Sequence, residues 1–250
     1  DIMSRLTNFS PSSPICGVDG CRAGWIAVHG AIFDPQISVF SDFASLKNHF
    51  GRDTIIAVDM PLGLPDFVSG GGRGPEQAIR PFLGARQSSV FSIPARRAVE
   101  APDYRAACEI SLQTSDPPRK VSKQAFHLFP KILEIDTCLR SDAALRERVI
   151  ECHPEFSFCV LNGMMAMGTP KKIKGRVNPA GIAERVALLT KLGLPETFFA
   201  APPPRGVSLD DRVDAAVNLL IAARHRDGNT RTWPENPGRD SYGIPITIYG

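Results

Sequence analysis

The chain has 250 residues, 43% hydrophobic and 22% charged, which is enough for one large core with or without an insertion. A net charge of +3 permits polyanion binding only through local clustering, and no apolar run approaches the ~20 residues of a membrane span. The six cysteines, Cys16, Cys21, Cys108, Cys138, Cys152 and Cys159, form no Cys-x-x-Cys pair. They read as buried thiols of a soluble, cytoplasmic protein, and residues 1–8 lack the apolar stretch of a signal peptide.

Three extended runs, Ile15 to Asp19, Trp25 to His29 and Ile37 to Phe40, alternate with Gly-rich and Asp-Pro turns and predict an antiparallel meander. Asp42 precedes Phe43, Leu46 and Phe50, a spacing that predicts a short crossover helix with an acidic start. Thr54 to Asp59 is an apolar run stopping at Met60-Pro61, as a buried parallel strand would. From Pro61 to about Arg119 the chain is rich in Gly, Pro and Arg, which predicts loop with embedded helices. Residues 120–148 carry helical spacing, with Pro130 expected as a kink or a boundary between two segments. Together these give a helical and loop insertion over about residues 66–147. Arg148 to His153 returns to a β-like run, and a basic loop with Lys171, Lys172, Lys174 and Arg176 leads into a helix around Ile182 to Leu192. Pro202 to Pro204 mark a linker, Ser208 to Arg226 a strong helix, and Ile244 to Tyr249 a last strand. No internal repeat is present, and residues 1–250 read as one α/β domain.

The chemistry concentrates in carboxylates at element ends. Asp19 ends the first strand and Asp59 the fourth, and a β-β-β-α-β order brings those two strands side by side and parallel. Strands lie ~4.8 Å apart, so the two anions would repel unless a hard cation such as Mg²⁺ sat between them. Each is equally well read as a turn or bend former beside Gly20 and Met60-Pro61. Leu209-Asp210-Asp211-Arg212-Val213-Asp214 opens a helix, where Ser208 or Asp210 can cap and acids favour the dipole. Capping does not need three acids, and Asp214, a turn inside, gains least from it. A fourth group is Glu151-Cys152-His153-Pro154-Glu155, in which His153 and Glu155 share a side if the chain stays extended. That geometry suits a metal ligand or proton carrier as well as a hydrogen-bonded strand end. A zinc site built from Cys152, Cys159 and His153 lacks further ligands at suitable spacing. Arg73, Arg80, Arg86, Arg96 and Arg97 lie near Ser88 and Ser89 just after the Asp59 strand end, where a phosphate backbone would approach, although solvated surface is the ordinary role of such charge.

Gly17-Val18-Asp19-Gly20-Cys21-Arg22, Ala57-Val58-Asp59-Met60-Pro61-Leu62-Gly63-Leu64, Leu83-Gly84-Ala85-Arg86-Gln87-Ser88-Ser89-Val90-Phe91, His153-Pro154-Glu155-Phe156 and Asp210-Asp211-Arg212-Val213-Asp214-Ala215 together resemble the DUF429 family, described as ribonuclease H-like nucleases. The family shows Arg, Asp and Arg where this chain has Arg73, Glu76 and Arg80. The opening of the late helix also looks like that of RuvC-type resolvases. These likenesses imply a ribonuclease H-like mixed five-stranded sheet flanked by helices. They also imply a metal-dependent nuclease with Asp19, Asp59, Asp211 and Asp214 as ligands to two Mg²⁺ or Mn²⁺ ions, assisted by Glu155. Arg22, Arg80, Arg86, Ser88, Ser89 and His153 are then the candidate contacts to a DNA or RNA substrate. Two other classes remain open: an actin-like or sugar-kinase-type nucleotide-binding phosphotransferase, and a non-catalytic nucleic-acid-binding module on the same fold.

Overall fold

The structure is a computed structural model that describes residues 9–250, so the reading of residues 1–8 lies outside the described part. The meander forms as β1 (Ile15–Cys21), β2 (Gly24–Ala31) and β3 (Asp34–Phe40), with Asp19 opposite Ile26 and Val28 opposite Ile37. A helix at Phe43–His49 follows, started by Asp42, whose carboxylate accepts the Ser45 N–H at 2.7 Å. It delivers β4 (Ile55–Val58) parallel to β1, with Val58 beside Val18. All four β4 residues are buried, which explains their unbroken apolar run. After a long excursion, β5 (Val149–Glu151) adds in parallel beyond β4, with Glu151 beside Val58. The sheet is thus five-stranded and mixed, in the order β3-β2-β1-β4-β5, as expected of a ribonuclease H-like fold.

Alternation along the strands divides the core. Val18, Ala27, Ile56 and Val58 pack on one face against the Lys123–Ser141 helix through Phe129, Ile132 and Ile135. Ile15, Ile26, Val28, Ile55 and Ala57 pack on the other against the Leu209–Arg226 helix through Ala215, Leu219 and Ala222. That helix lies directly on β1 because residue 17 is glycine: a Cβ there would stand 2.1 Å from both Ala215 O and Leu219 N. Asn218 secures the contact by donating from Nδ2 to Val18 O at 3.0 Å. The late helix therefore presents its first turns over the end of β1.

Elsewhere the chain departs from its sequence reading in three places. Pro130 lies inside a single helix, Lys123–Ser141, and the break comes at Asp142, whose side chain caps the next helix by accepting the Leu145 N–H at 3.0 Å. The missing N–H of one proline is outweighed by the buried row Phe129, Ile132, Ile135 and Leu139. The late strand stops at Glu151, since Pro154 opens a helix at Pro154–Leu161, a first-turn position that suits proline's fixed φ. Finally, the strand at Pro245–Tyr249 does not join the main sheet. It pairs with Thr232–Arg239, whose prolines and glycine conceal a strand, in a separate ribbon. Asp240 anchors that ribbon by accepting from Arg96 Nη2 at 2.7 Å and from Leu64 N at 3.1 Å. No helix among the described residues is long and apolar enough to cross a membrane.

Candidate metal centre

Three aspartates meet where β1, β4 and the late helix converge. Asp19 lies in β1, Asp59 follows β4 with its N–H on Val18 O at 3.0 Å, and Asp214 stands a turn inside the Leu209–Arg226 helix. Each contributes one carboxylate oxygen to a set lying within 4.8 Å of one another. Asp19 and Asp214 are buried and Asp59 half-buried. The convergence follows from parallel β1–β4 pairing plus the glycine-permitted seat of the helix on β1. Sequence spacing could suggest the first of these but not the second.

Packing three carboxylates together makes their charged forms costly. Burial, then the neighbouring Asp59, Asp214 and Asp211, push Asp19 well above the usual carboxylate range, while Lys171 works the other way. Burial and Asp214 raise Asp59 to about 8. Burial raises Asp214 to about 7 against the pull of Lys171. One oxygen of Asp214, Oδ1, is buried with no hydrogen-bond partner. Three acids from three elements, mutual repulsion and an unpartnered buried oxygen form a donor set suited to a hard divalent cation, whose charge would reverse each of these penalties. Mg²⁺ and Mn²⁺ are both compatible with such all-oxygen ligation.

A lysine that sequence reasoning assigned only to a basic loop completes the cluster. Lys171 Nζ is ion-paired to Asp214 Oδ2 and lies 3.2 Å from Asp210 Oδ1, and Lys172 Nζ lies 2.8 Å from Asp210 Oδ2. Burial opposes the Lys171 charge, but Asp214 and Asp210 raise its pKa above the ordinary lysine value. Burial likewise opposes ionisation of Asp210, yet the two lysines bring its pKa below the usual value. No spacing rule could have found this contact, because 43 residues separate Lys171 from Asp214.

The other expected residues divide sharply. Asp211 lies close enough to repel Asp19 and lines both cavities, but one oxygen of its carboxylate is committed to a capping box: Oδ2 accepts the Ser208 N–H at 2.8 Å while Ser208 Oγ accepts the Asp211 N–H at 3.1 Å. It is absent from the three-aspartate set. Glu155 does not share an extended edge with His153, because the helix has already begun. Its carboxylate receives three hydrogen bonds of 2.8 to 3.1 Å from the fully buried Arg185. His153 precedes that helix with Nε2 at 3.3 Å from Ser89 O, and burial lowers its pKa to about 4, so at neutral pH it is an uncharged imidazole. Cys152 and Cys159 are free buried thiols and join no metal-like group among the described residues.

Among the arginines, Arg73 is buried and grips Glu151 at 2.6 Å and Glu76 at 2.6 Å, which makes the Arg73–Glu76 pair a structural brace beside the site. Burial opposes its charge, but Glu151 and Glu76 raise its pKa. Arg96 is bound to Asp136 and Asp240. Arg80 also turns inward, donating to Gly71 O, to Val90 O at 3.2 Å and to Ser92 Oγ at 2.8 Å, so it shapes the loop instead of reaching outward. Arg22, Arg86, Ser88 and Ser89 do line open space beside the aspartates. A cavity of about 480 Å³ contains Asp19, Asp59, Arg22, Ser89 and Lys131 on its walls. A second, of about 450 Å³, contains Asp19, Asp59, Asp214, Arg86, Ser88 and Lys172. The exposed Phe91 is common to both.

Two comparisons give no match: no curated protein and no solved structure is significantly similar. A family model described as "Protein of unknown function (DUF429)" matches residues 17–239, from the glycine under the late helix to the end of the first ribbon strand. That span includes all three converging aspartates, and the chain belongs to the DUF429 family.

Proposed function

We propose that this protein is a divalent-metal-dependent nuclease that hydrolyses phosphodiester bonds in DNA or RNA. The observation that carries the reading is the meeting of Asp19, Asp59 and Asp214, with ligand oxygens within 4.8 Å, where Asp19 and Asp59 line two open cavities and Asp214 the second of them. Mg²⁺ or Mn²⁺ held there would supply Lewis acidity and stabilise the charge that develops on a phosphoryl group under attack. The chain's own residues do the rest. The aspartates would hold the ion, and Arg22 and Arg86 offer positive charge on the cavity walls to a phosphate backbone. Ser89 adds a polar group where the two cavities meet beside Phe91, and Ser88 adds one on the wall of the second. Glu155 and Glu151, locked to arginines, hold the surrounding walls in register.

The test is cleavage of a mixed panel of single-stranded, duplex and branched DNA and RNA with Mn²⁺ or Mg²⁺, beside EDTA and an Asp19→Asn control. Cutting that needs metal and vanishes in Asp19→Asn supports the reading. A chain that binds Mn²⁺ but cuts no member of the panel overturns it.

A further inference from the structure

We propose that Lys171 takes the place of a second cation, so that the centre holds one divalent ion where the sequence likeness implies two. The inference rests on the reading of the three aspartates as a metal site and adds how that site is charged. Paired-ion sites set two metals ~3.5–4 Å apart and need carboxylates on both sides of the bridging group. Around Asp19, Asp59 and Asp214 the glutamates have both carboxylate oxygens engaged, and Asp211 has one of its two engaged. Asp211 belongs to the capping box, Glu155 to Arg185 and Glu151 to Arg73. Asp210 would be the natural ligand on the far side of Asp214, and there the Lys171 ammonium stands, paired with Asp214 Oδ2 and 3.2 Å from Asp210 Oδ1. Asp214 Oδ1 remains buried and without a partner. One oxygen of Asp214 thus serves the lysine and the other is left for one metal ion.

Charge balance agrees. Asp19, Asp59, Asp210, Asp214 and the nearby Asp211 oppose Lys171 and Lys172, leaving three negative charges, most of which one divalent ion offsets, whereas five without the lysines would draw a second ion. The lysine's seat is also built into the backbone. Lys171 O accepts the Asn178 N–H at 2.6 Å. The helix Pro179–Lys191 comes against the segment so closely that a Cβ on Gly181 would stand 2.1 Å from Pro170 O. The ammonium is thereby fixed on the Asp214 side of the centre, within reach of the same cavity that exposes Arg86 and Ser88.

The experiment is an equilibrium Mn²⁺ titration of the full chain, reading bound ions per chain and the electron paramagnetic resonance of the bound metal. The wild type should saturate at one ion with the spectrum of isolated Mn²⁺. Lys171→Arg should also take one. The double variant Lys171→Met/Lys172→Met, in which Lys172 cannot move into the vacated place, should take a second ion and develop the spectrum of an exchange-coupled pair. Melting curves establish that each variant is folded. Two ions in the wild type, or one in the folded double variant, would overturn the role of Lys171 while leaving the metal-centre reading intact. No bound ion in the wild type would overturn both. If the double variant does not fold, the wild-type and Lys171→Arg stoichiometries still decide, since two ions in either reject the proposal.

Discussion

Substituting Asp59 by asparagine should make the metal-free protein more stable at alkaline pH. Asp59 is raised from 3.8 to about 8, by burial first and Asp214 second. In the unfolded chain it ionises near 3.8, so between those values the folded state binds more protons than the unfolded one. Stability from this group is therefore full below about pH 4 and lost as pH rises through about 8. At about 1.4 kcal/mol per pH unit, the shift taken alone would reach 5–6 kcal/mol. The three aspartates share their protons, however, and Asp59 is only half-buried, so about 2 kcal/mol is the expected gain for Asp59→Asn above pH 8. For a chain of this size that is a rise of ~4–8 °C in Tm. Calorimetry at about pH 4 and about pH 9 in EDTA checks the sign, and saturating Mn²⁺ should reverse it. The wild type then gains about 2.7 kcal/mol at a hundredfold excess over Kd, and a variant that binds weakly does not. Equal melting of wild type and Asp59→Asn at alkaline pH in EDTA would refute the argument that mutual repulsion of buried carboxylates strains this centre.

Gly17→Ala should cost about 3 kcal/mol or more, because the clash is with helix backbone that cannot rotate away. Urea denaturation should show it, together with weaker Mn²⁺ binding as Asp214 is levered off β1. Arg185→Met should destabilise by about 3–5 kcal/mol by leaving Glu155 buried and unpaired. The double variant Arg185→Met/Glu155→Met should recover much of that loss in the same denaturation assay.

How much was legible beforehand depends on range. The meander, the crossover helix and the buried β4 run are written in local periodicity, and the pairing of Asp19 with Asp59 follows from a topological rule that relates neighbouring strands. Asp214 stands out in the sequence because a third acid exceeds what a helix N-terminus needs. Its arrival beside Asp19 depends on Gly17, a residue whose importance is invisible until the helix lies on it. The losses share one cause, which is long-range pairing of charge. Arg73 with Glu151, Arg96 with Asp240, Arg185 with Glu155 and Lys171 with Asp214 join residues at least 30 positions apart. In a linear reading all four cations look like phosphate-binding or solvated charge, because a sequence shows a residue's charge and hides its partner. The ribbon strand Thr232–Arg239 is hidden for a different reason, since its prolines and glycine are turn signals that an irregular two-stranded ribbon tolerates.

Asp211 and Asp214 offer the sharpest test of what the late helix is for, since they are three residues apart on one element and the family likeness implies that both are ligands. Asp211 is spent on the capping box with Ser208, so Asp211→Ala should lose a cap, about 1 kcal/mol of stability. It should leave Mn²⁺ affinity within a few-fold, through the small loss of negative potential felt at Asp19. Asp214→Asn should do the opposite. Metal-free stability should change by no more than about 1 kcal/mol, because losing the Lys171 pair is offset by relief of repulsion from Asp19 and Asp59, and Asp210 still holds the lysine. Removing one of three charged ligands should weaken Mn²⁺ binding by at least about tenfold. Isothermal titration with Mn²⁺ and urea denaturation in EDTA, run on both variants, separate the two roles along independent axes. An Asp211→Ala chain that loses metal as severely as Asp214→Asn would return Asp211 to the ligand set and show that its capping bond opens when the ion arrives.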